Sequence, residues 1–158
     1  MDGSRKFKAS VSPQTSRLVD TKEQCGAMCF RVKAGKTQIL LVTSRETKRW
    51  VIPKGWLIPG KTAADSAVIE AFEEAGVQGR LFSKSVGGYT YSKSVHRAKS
   101  LTCLVRVYPL EVKTLLAKFP ERHQRKRKWF AAKRAAAMVK APGLAKLILR
   151  FDPQGLND

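Results

Sequence analysis

The spacing of apolar and polar residues predicts a series of short strands in the first half of the chain. The apolar runs CGAMCFRV and TQILLVTS, which begin at Cys25 and Thr37, are separated by the turn sequence KAGK. This arrangement is typical of a β-hairpin. RWVIP is a third strand candidate that ends at Pro53, and we expect the following WLIPGK to be a loop because proline and glycine interrupt it.

Residues Thr62 to Ala75 predict an amphipathic helix, with Thr62 or Asp65 available as the N-cap and Gly76 as the C-terminal stop. At about 100° per residue, one side of this helix carries apolar side chains: Ala64, Val68, Ala71, Phe72 and Ala75. The opposite side carries carboxylates, at Glu70, Glu73 and Glu74. The helix is therefore expected to have an acidic face.

The rest of the chain predicts further strands and then helices. GRLFSKSVGGYTYS and SLTCLVRVYPLEV are expected to be strands joined by the basic loop KSVHRAK, and the basic segment ERHQRKRKWF follows them. AAKRAAAMV and GLAKLILRF read as helices separated by Pro142. The order of elements predicts a single α/β or α+β domain that spans residues 21–158. The polar, basic residues 1–20 are expected to form a flexible arm.

Length and composition narrow the class of protein. The 158 residues fit one domain, and no apolar run reaches the roughly 20 residues that a membrane span requires. The N-terminal residues lack the apolar run of a secretory signal, so we expect a cytoplasmic protein without a membrane partner. Three cysteines, Cys25, Cys29 and Cys103, lack zinc spacing and are expected to be core residues.

The net charge of +19 indicates an anionic partner. Charge alone does not decide whether that partner is nucleic acid, acidic lipid or a polyphosphate. Against 31 basic residues the chain has only 12 acidic ones, yet three of these lie within five residues of the predicted helix. Carboxylates three and four residues apart repel each other by a few tenths of a kcal/mol per pair. One explanation of the carboxylate cluster is a solvated helix face with lysines nearby. The favoured explanation is a bound Mg²⁺ ion, because Mg²⁺ prefers oxygen ligands.

The spacing of these residues resembles the signature of the Nudix hydrolases. That signature is Gly, five residues, Glu, seven residues and then Arg-Glu-U-x-Glu-Glu-x-Gly-U, where U is aliphatic. The matching positions begin at Gly55 and run through Glu70, Ala71, Glu73, Glu74 and Gly76 to Val77. Two positions depart from the signature, because Lys61 stands in place of its first glutamate and Ile69 in place of its arginine. The resemblance implies that those two family residues form an ion pair that braces the loop against the helix, and this chain lacks both partners. The segments CFR, LLVTSR, RWVIPKG and RKRKWF resemble the diphosphoinositol polyphosphate phosphohydrolase branch, which also cleaves diadenosine polyphosphates.

The resemblance implies the Nudix fold, a mixed sheet between helices, and hydrolysis of a phosphoanhydride with Mg²⁺, or alternatively Mn²⁺, as cofactor. It implies that the ion is held by Glu70, Glu74 and the backbone carbonyl of Lys54, with Glu73 on the same face as a further ligand or as the general base. Which glutamate acts as base stays open, and Glu121 is a further carboxylate candidate by analogy.

The cations are then expected to bind substrate phosphates. The predicted substrate-binding residues are Arg45, Arg49, Lys61, His96, Arg97, Arg125, Lys126 and Arg127. Trp50 and Trp129 are expected to be core residues, with stacking on an adenine as the alternative. The substrate stays open between diphosphoinositol polyphosphates and diadenosine polyphosphates. The alternative function is a non-catalytic Nudix-fold module that binds RNA or polyphosphate through RKRKWF and the other basic residues.

Overall fold

A computed structural model of the protein describes residues 21–95 and 99–157. The predicted N-terminal arm lies outside the described residues, and so do His96 and Arg97. In the described ranges, no helix is both long and apolar enough to cross a lipid bilayer.

The described strands form one mixed sheet. The strands are β1 Thr21–Lys33, β2 Lys36–Thr43, β3 Trp50–Val51, β4 Lys54–Trp56, β5 Val77–Leu81, β6 Gly87–Ser94, β7 Ser100–Leu115 and β8 Arg127–Ala131. The order β3-β2-β1-β7-β5 forms the main path, and β4, β6 and β8 pair with β1, β7 and β2. Strands β1 and β7 are parallel, whereas the other pairs are antiparallel.

The predicted hairpin is confirmed by the pairing of β1 with β2, which closes at Lys33 and Lys36. Ala34 and Gly35 between them have positive φ angles of 51° and 76°. Two successive residues of positive φ give the turn the twist that the two strands share.

The long predicted helix is α1, Ala63–Ala75. Of the two predicted N-caps, Thr62 is the one that is used, because its side chain accepts a hydrogen bond from the amide of Asp65. Gly76 ends the helix in the left-handed conformation, with φ of 66°. The C-terminal helices are α2, Ala132–Met138, and α3, Pro142–Arg150, followed by a 3₁₀ turn at Pro153–Gly155.

The sheet lies between α1 on one face and α2 and α3 on the other. Successive residues of β2 alternate between two cores, as the period-two pattern of a strand requires: Ile39 and Leu41 pack in the core that contains α2 and α3. Leu40 and Val42 pack in the core that contains the alanines of α1. The prediction of a mixed sheet between helices is confirmed. The three cysteines, Cys25, Cys29 and Cys103, are buried and free.

Two local expectations, for Trp56 and Phe72, were wrong, and one strand, β8, was not predicted. Trp56 belongs to β4 rather than to a loop, because it pairs with Gln24 of β1. The end of the basic segment forms β8, since Phe130 and Trp129 pair with Ile39 and Leu40 of β2.

Phe72, placed on the apolar side of α1, is 37% exposed. The buried stripe of the helix is instead formed by small residues, Ala64, Ala67, Ala71 and Ala75. A stripe of alanines lets the helix lie close to the sheet and turns Phe72 away from it.

Candidate active site

Gly55 of β4 places the sheet directly against the carboxyl group of Glu70. A Cβ atom built on Gly55 would lie 2.4 Å from the carboxyl carbon of Glu70 and 2.5 Å from one of its oxygens. Real Cβ atoms do not approach other atoms so closely, so glycine at this position leaves the space that the carboxyl group fills. The signature glycine and the first glutamate of α1 are therefore in direct contact.

Glu74 is one turn further along α1 and is only 5% exposed. Its carboxyl oxygen accepts a hydrogen bond of 3.3 Å from the backbone amide of Lys54. Burial raises the pKa of Glu74 to about 8, although the nearby charges of Arg125 and Lys54 oppose the shift. A buried carboxyl group of this kind holds a proton unless a cation takes its place.

Glu70 and Glu74 form a hydrogen-bonded pair of carboxyl groups. The pKa of Glu70 is also raised, chiefly by burial, while its hydrogen bond to Glu74 acts in the opposite direction. Two carboxyl groups in contact cannot both ionise without a nearby positive charge. The pair is therefore a place where a cation would be held in exchange for a proton.

Glu73 lies between the paired residues in sequence and is half-buried. Its backbone carbonyl accepts a hydrogen bond of 3.0 Å from the amide of Glu121. The carbonyl of Gly76 likewise accepts from the amide of Leu116, at 2.8 Å. These two bonds attach the segment between β7 and β8 to the C-terminal end of α1, and they bring Glu121 to the site.

Arg125 joins this segment to both the helix and the sheet. Its Nε lies 2.7 Å from a carboxylate oxygen of Glu121, and its Nη2 lies 3.7 Å from Glu74. Its Nη1 also donates to the backbone carbonyl of Thr43, at 3.1 Å. Because the side chain is 10% exposed, the guanidinium group is engaged chiefly with protein atoms.

Arg127 is engaged in a similar way. Its Nη1 donates to the carbonyl of Ala75 at 2.6 Å, and its guanidinium group lies 4.7 Å from the ring centre of Phe119. A cation at this point satisfies one of the last carbonyls of α1 and opposes the negative end of the helix dipole. The structure thus gives Arg125 and Arg127 contacts within the protein in addition to the predicted ones with substrate.

The other predicted substrate-binding residues in the described ranges are exposed: Arg45, Arg49, Lys61 and Lys126. Arg45 donates to the side-chain oxygen of Gln124, at 3.3 Å, so the turn after β2 lies beside the segment that carries Glu121. This contact places an exposed arginine near the rim of the site.

Ser66 was not singled out from the sequence. Its side chain has no exposed surface, and its hydroxyl accepts a hydrogen bond of 3.0 Å from the amide of Ile58. The bond ties the loop after β4 to α1, the same connection that Lys61 and Ile69 were expected to lack. In the sequence, the feature that could have indicated this buried hydrogen bond is a serine next to the alanines that form the buried stripe.

Trp50 and Trp129 pack against the two cores, as expected. The ring of Trp50 meets that of Phe130 edge-on at 5.1 Å, and the guanidinium group of Arg31 lies 4.1 Å from the ring centre of Trp129. Neither tryptophan is needed to explain the carboxyl site.

The donor chemistry of the site fits a hard divalent cation. Among residues 21–95 and 99–157, no three or more His, Cys, Asp and Glu side chains form a group that could hold a metal ion. The grouping that the structure does form is the carboxyl pair of Glu70 and Glu74. Mg²⁺ is commonly held by one or two carboxylates, with water and substrate phosphates as its other ligands, so a pair suffices.

A mixed sheet between helices, with paired glutamates at this spacing on the helix that follows a glycine-containing loop, defines the Nudix class of hydrolases. The family model described as "NUDIX domain" matches residues 22–151 of the chain. The chain therefore belongs to the NUDIX family, and the protein is a Nudix hydrolase.

Relatives and solved structures agree with this assignment. The chain is 31% identical over 157 residues to diphosphoinositol polyphosphate phosphohydrolase 3-beta of Bos taurus, which covers 92% of this chain and 91% of the relative. It is 32% identical over 141 residues to "Nudix hydrolase 13, mitochondrial" of Arabidopsis thaliana, over 85% of this chain and 68% of the relative. The fold is similar to that of the Ap4A hydrolase of C. elegans, with a TM-score of 0.60 and 20% identity over 82% of this chain and 94% of that one.

Proposed function

We propose that the protein is a Mg²⁺-dependent hydrolase that cleaves phosphoanhydride bonds in highly phosphorylated small molecules. The observation that carries the proposal is the contact of Gly55 with Glu70 beside the buried carboxyl group of Glu74. Diphosphoinositol polyphosphates and diadenosine polyphosphates are the two substrate classes, because similar proteins are named for them.

Glu70 and Glu74 would hold the metal ion, together with the backbone carbonyl of Lys54. The ion would neutralise phosphate charge and lower the pKa of a water molecule that attacks phosphorus. The raised pKa values of Glu70 and Glu74 support this role, because both carboxyl groups have lost much of their hydration and gain most from a cation.

Glu73 is the proposed general base. It is half-buried on the same helix and is not part of the hydrogen-bonded pair, so its carboxylate can accept a proton from water. Glu121 is the alternative base, since Arg125 fixes its carboxylate at the edge of the site.

The exposed cations Arg45, Arg49, Lys61 and Lys126 would hold the phosphates that are not being cleaved. A net charge of +19 suits a ligand with many phosphates better than one with a single phosphate. Arg125 and Arg127 would support the site from within, since their guanidinium groups already bind protein oxygens.

The test is an assay of both substrate classes with and without Mg²⁺, using Glu73→Gln, Glu74→Gln and Glu121→Gln beside the unchanged protein. We expect Mg²⁺-dependent turnover whose saturating rate Glu74→Gln lowers by roughly a hundredfold. We also expect a loss of kcat in whichever of the other two variants removes the base. Absence of turnover of any phosphoanhydride, with RNA or polyphosphate still bound, would favour the non-catalytic module.

A further inference from the structure

A cavity of about 300 Å³ opens beside the segment between β7 and β8, next to the C-terminal end of α1. Two apolar side chains, one imidazole ring and three guanidinium groups line it: Ala117, Phe119, Arg122, His123, Arg125 and Arg127. No carboxyl group of the described residues is part of this lining. We call the cavity the arginine pocket. Small-molecule sites begin at roughly this volume, so the pocket has room for a small ligand.

Contacts with α1 hold one wall of the pocket in place. A Cβ atom built on Gly76 would lie 2.5 Å from the ring of Phe119 and 2.9 Å from Nη1 of Arg127. Phe119 and Arg127 therefore pack directly on the end of the helix, and the guanidinium group lies 4.7 Å from the ring centre of Phe119. The amides of Leu116 and Glu121 bond to carbonyls of the same helix end. The protein itself thus positions this wall.

Arg122 and His123 form the outer edge of the pocket, and both side chains are exposed. The Nε of Arg122 donates a hydrogen bond of 3.0 Å to Nε2 of His123. Because Nε2 accepts this bond, the proton of the neutral imidazole ring is on Nδ1, where it is a donor for a ligand. The bond also orients the guanidinium group of Arg122, whose Nη groups are further donors.

Two of the three arginines of the pocket have no carboxylate partner within residues 21–95 and 99–157. Arg125 is neutralised by Glu74 and Glu121. Arg122 and Arg127 instead bond to an imidazole nitrogen and to a backbone carbonyl, neither of which carries a full negative charge. Positive charges that line one small cavity repel each other, and an anion between them is attracted by both. The pocket therefore favours a negatively charged ligand.

We propose that the arginine pocket is an accessory binding site for a phosphate group, beside the carboxyl pair but separate from it. Arginine side chains bind phosphate oxygens in pairs through charged hydrogen bonds, and His123 adds a single donor. Arg125 connects the two sites, because its guanidinium group lines the pocket and also lies 3.7 Å from Glu74. This inference goes beyond the proposed function, since phosphate binding here requires neither metal nor hydrolysis.

The phosphate group can come from two sources. One source is a distal phosphate of a substrate whose reacting phosphate lies at the carboxyl pair on the other side of Arg125. The other is the free phosphate ion that hydrolysis of a terminal phosphoanhydride releases. The choice between these sources rests on the proposed function, whereas the site itself does not.

The first experiment is a calorimetric titration of the full, metal-free protein with inorganic phosphate and with pyrophosphate. Arg122→Gln is expected to weaken the binding of both roughly tenfold, because a charged hydrogen-bond donor is lost. Arg122→Lys should recover part of the affinity, since it retains the charge without the planar fork. His123→Ala should weaken binding by a smaller factor. Arg134→Gln, which removes the same charge from an exposed position of α2, is the matched control.

A second experiment distinguishes the sources by the inhibition of hydrolysis by added phosphate, with Mg²⁺ present. Competitive inhibition that Arg122→Gln weakens would assign the pocket to a phosphate of the substrate. Noncompetitive inhibition that the same variant weakens would assign it to the free ion, bound while substrate occupies the carboxyl site.

Phosphate and pyrophosphate affinities that Arg122→Gln lowers no more than Arg134→Gln would overturn the accessory site. Failure of the unchanged protein to bind either ion would overturn it as well. A protein that binds phosphate through Arg122 but hydrolyses no phosphoanhydride would retain the accessory site and overturn the proposed function alone.

Discussion

The amide of Ile58 donates a hydrogen bond to the buried hydroxyl of Ser66, with 3.0 Å between the two atoms. Ile58 lies in the loop between β4 and α1, and Ser66 lies near the beginning of α1. The bond holds the loop against the helix at the place where Lys61 and Ile69 cannot form an ion pair. A neutral hydrogen bond thus provides the connection that the two substitutions remove.

Ser66→Ala tests this connection. Removal of the hydroxyl leaves the amide of Ile58 without this acceptor, which is expected to lower the free energy of unfolding by roughly 1–2 kcal/mol. The loop also becomes free to move relative to Glu70, so kcat should fall as well. Chemical denaturation and steady-state kinetics measure the two effects. Ser92→Ala, at an exposed position of β6, is the matched control, and equal behaviour of the two variants would contradict the bracing role.

Gly55→Ala tests the contact between β4 and Glu70. The added methyl group would have to occupy space within 2.4 Å of the carboxyl carbon, so Glu70 is expected to move and Mg²⁺ affinity to fall at least tenfold. Calorimetric titration with Mg²⁺ measures the change. Gly155→Ala is the control, because the nearest atom to its new Cβ is 3.9 Å away. Unchanged affinity in Gly55→Ala would show that the carboxyl group of Glu70 is not the ligand.

Arg125→Gln tests the guanidinium group that joins Glu121, Glu74 and Thr43. Loss of its charged hydrogen bonds is expected to lower the free energy of unfolding by roughly 2 kcal/mol. Arg45→Gln is the control, since Arg45 is exposed and its hydrogen bond to Gln124 is long, at 3.3 Å. Equal stability of the two variants in thermal or denaturant unfolding would mean that Arg125 contributes no more than a surface cation.

The pKa of Glu74 predicts how pH and metal act together. The pKa of Glu74 in the folded, metal-free protein is about 8, raised by burial from the ordinary value of 4.5. Since the folded value is the higher one, the stability that this group contributes is complete below about pH 4.5 and is lost as the pH rises through 8. Mg²⁺ replaces the proton, so the increase in Tm on adding Mg²⁺ should be larger near pH 8 than near pH 6.

Thermal unfolding with and without Mg²⁺ at the two pH values measures this coupling. Glu74→Gln cannot titrate, and its increase in Tm should be small and independent of pH. An increase in the unchanged protein that is the same at both pH values would contradict the exchange of a proton for the metal.

The sequence was sufficient for the features that depend on local pattern. The hairpin at Ala34 and Gly35 and the limits of α1 at Thr62 and Gly76 follow from turn and capping residues. The spacing of the three glutamates likewise indicated the helix that carries the carboxyl pair. The positions of the glutamates on the helix did not predict that Glu74 is buried. The burial of Glu74 depends on the segment between β7 and β8, which is attached to the C-terminal end of α1.

The features that were missed depend on contacts between distant residues. β8 is a strand because β2 pairs with it, although its sequence is basic. Arg125 contacts Thr43, which lies 82 residues earlier in the chain, and no local pattern reports such a contact. Trp56 was assigned to a loop because Pro59 and Gly60 follow it, yet its pairing with Gln24 sets the direction of its side chain.

The most direct test of the central claim is the initial rate of phosphoanhydride hydrolysis as Mg²⁺ is titrated into the metal-free protein. If Glu70 and Glu74 hold the ion, the rate should rise from near zero to saturation, and Glu74→Gln should lower the saturating rate by roughly a hundredfold. A rate that does not depend on a divalent ion, or that Glu74→Gln leaves unchanged, would contradict the assignment of the carboxyl pair as the metal site.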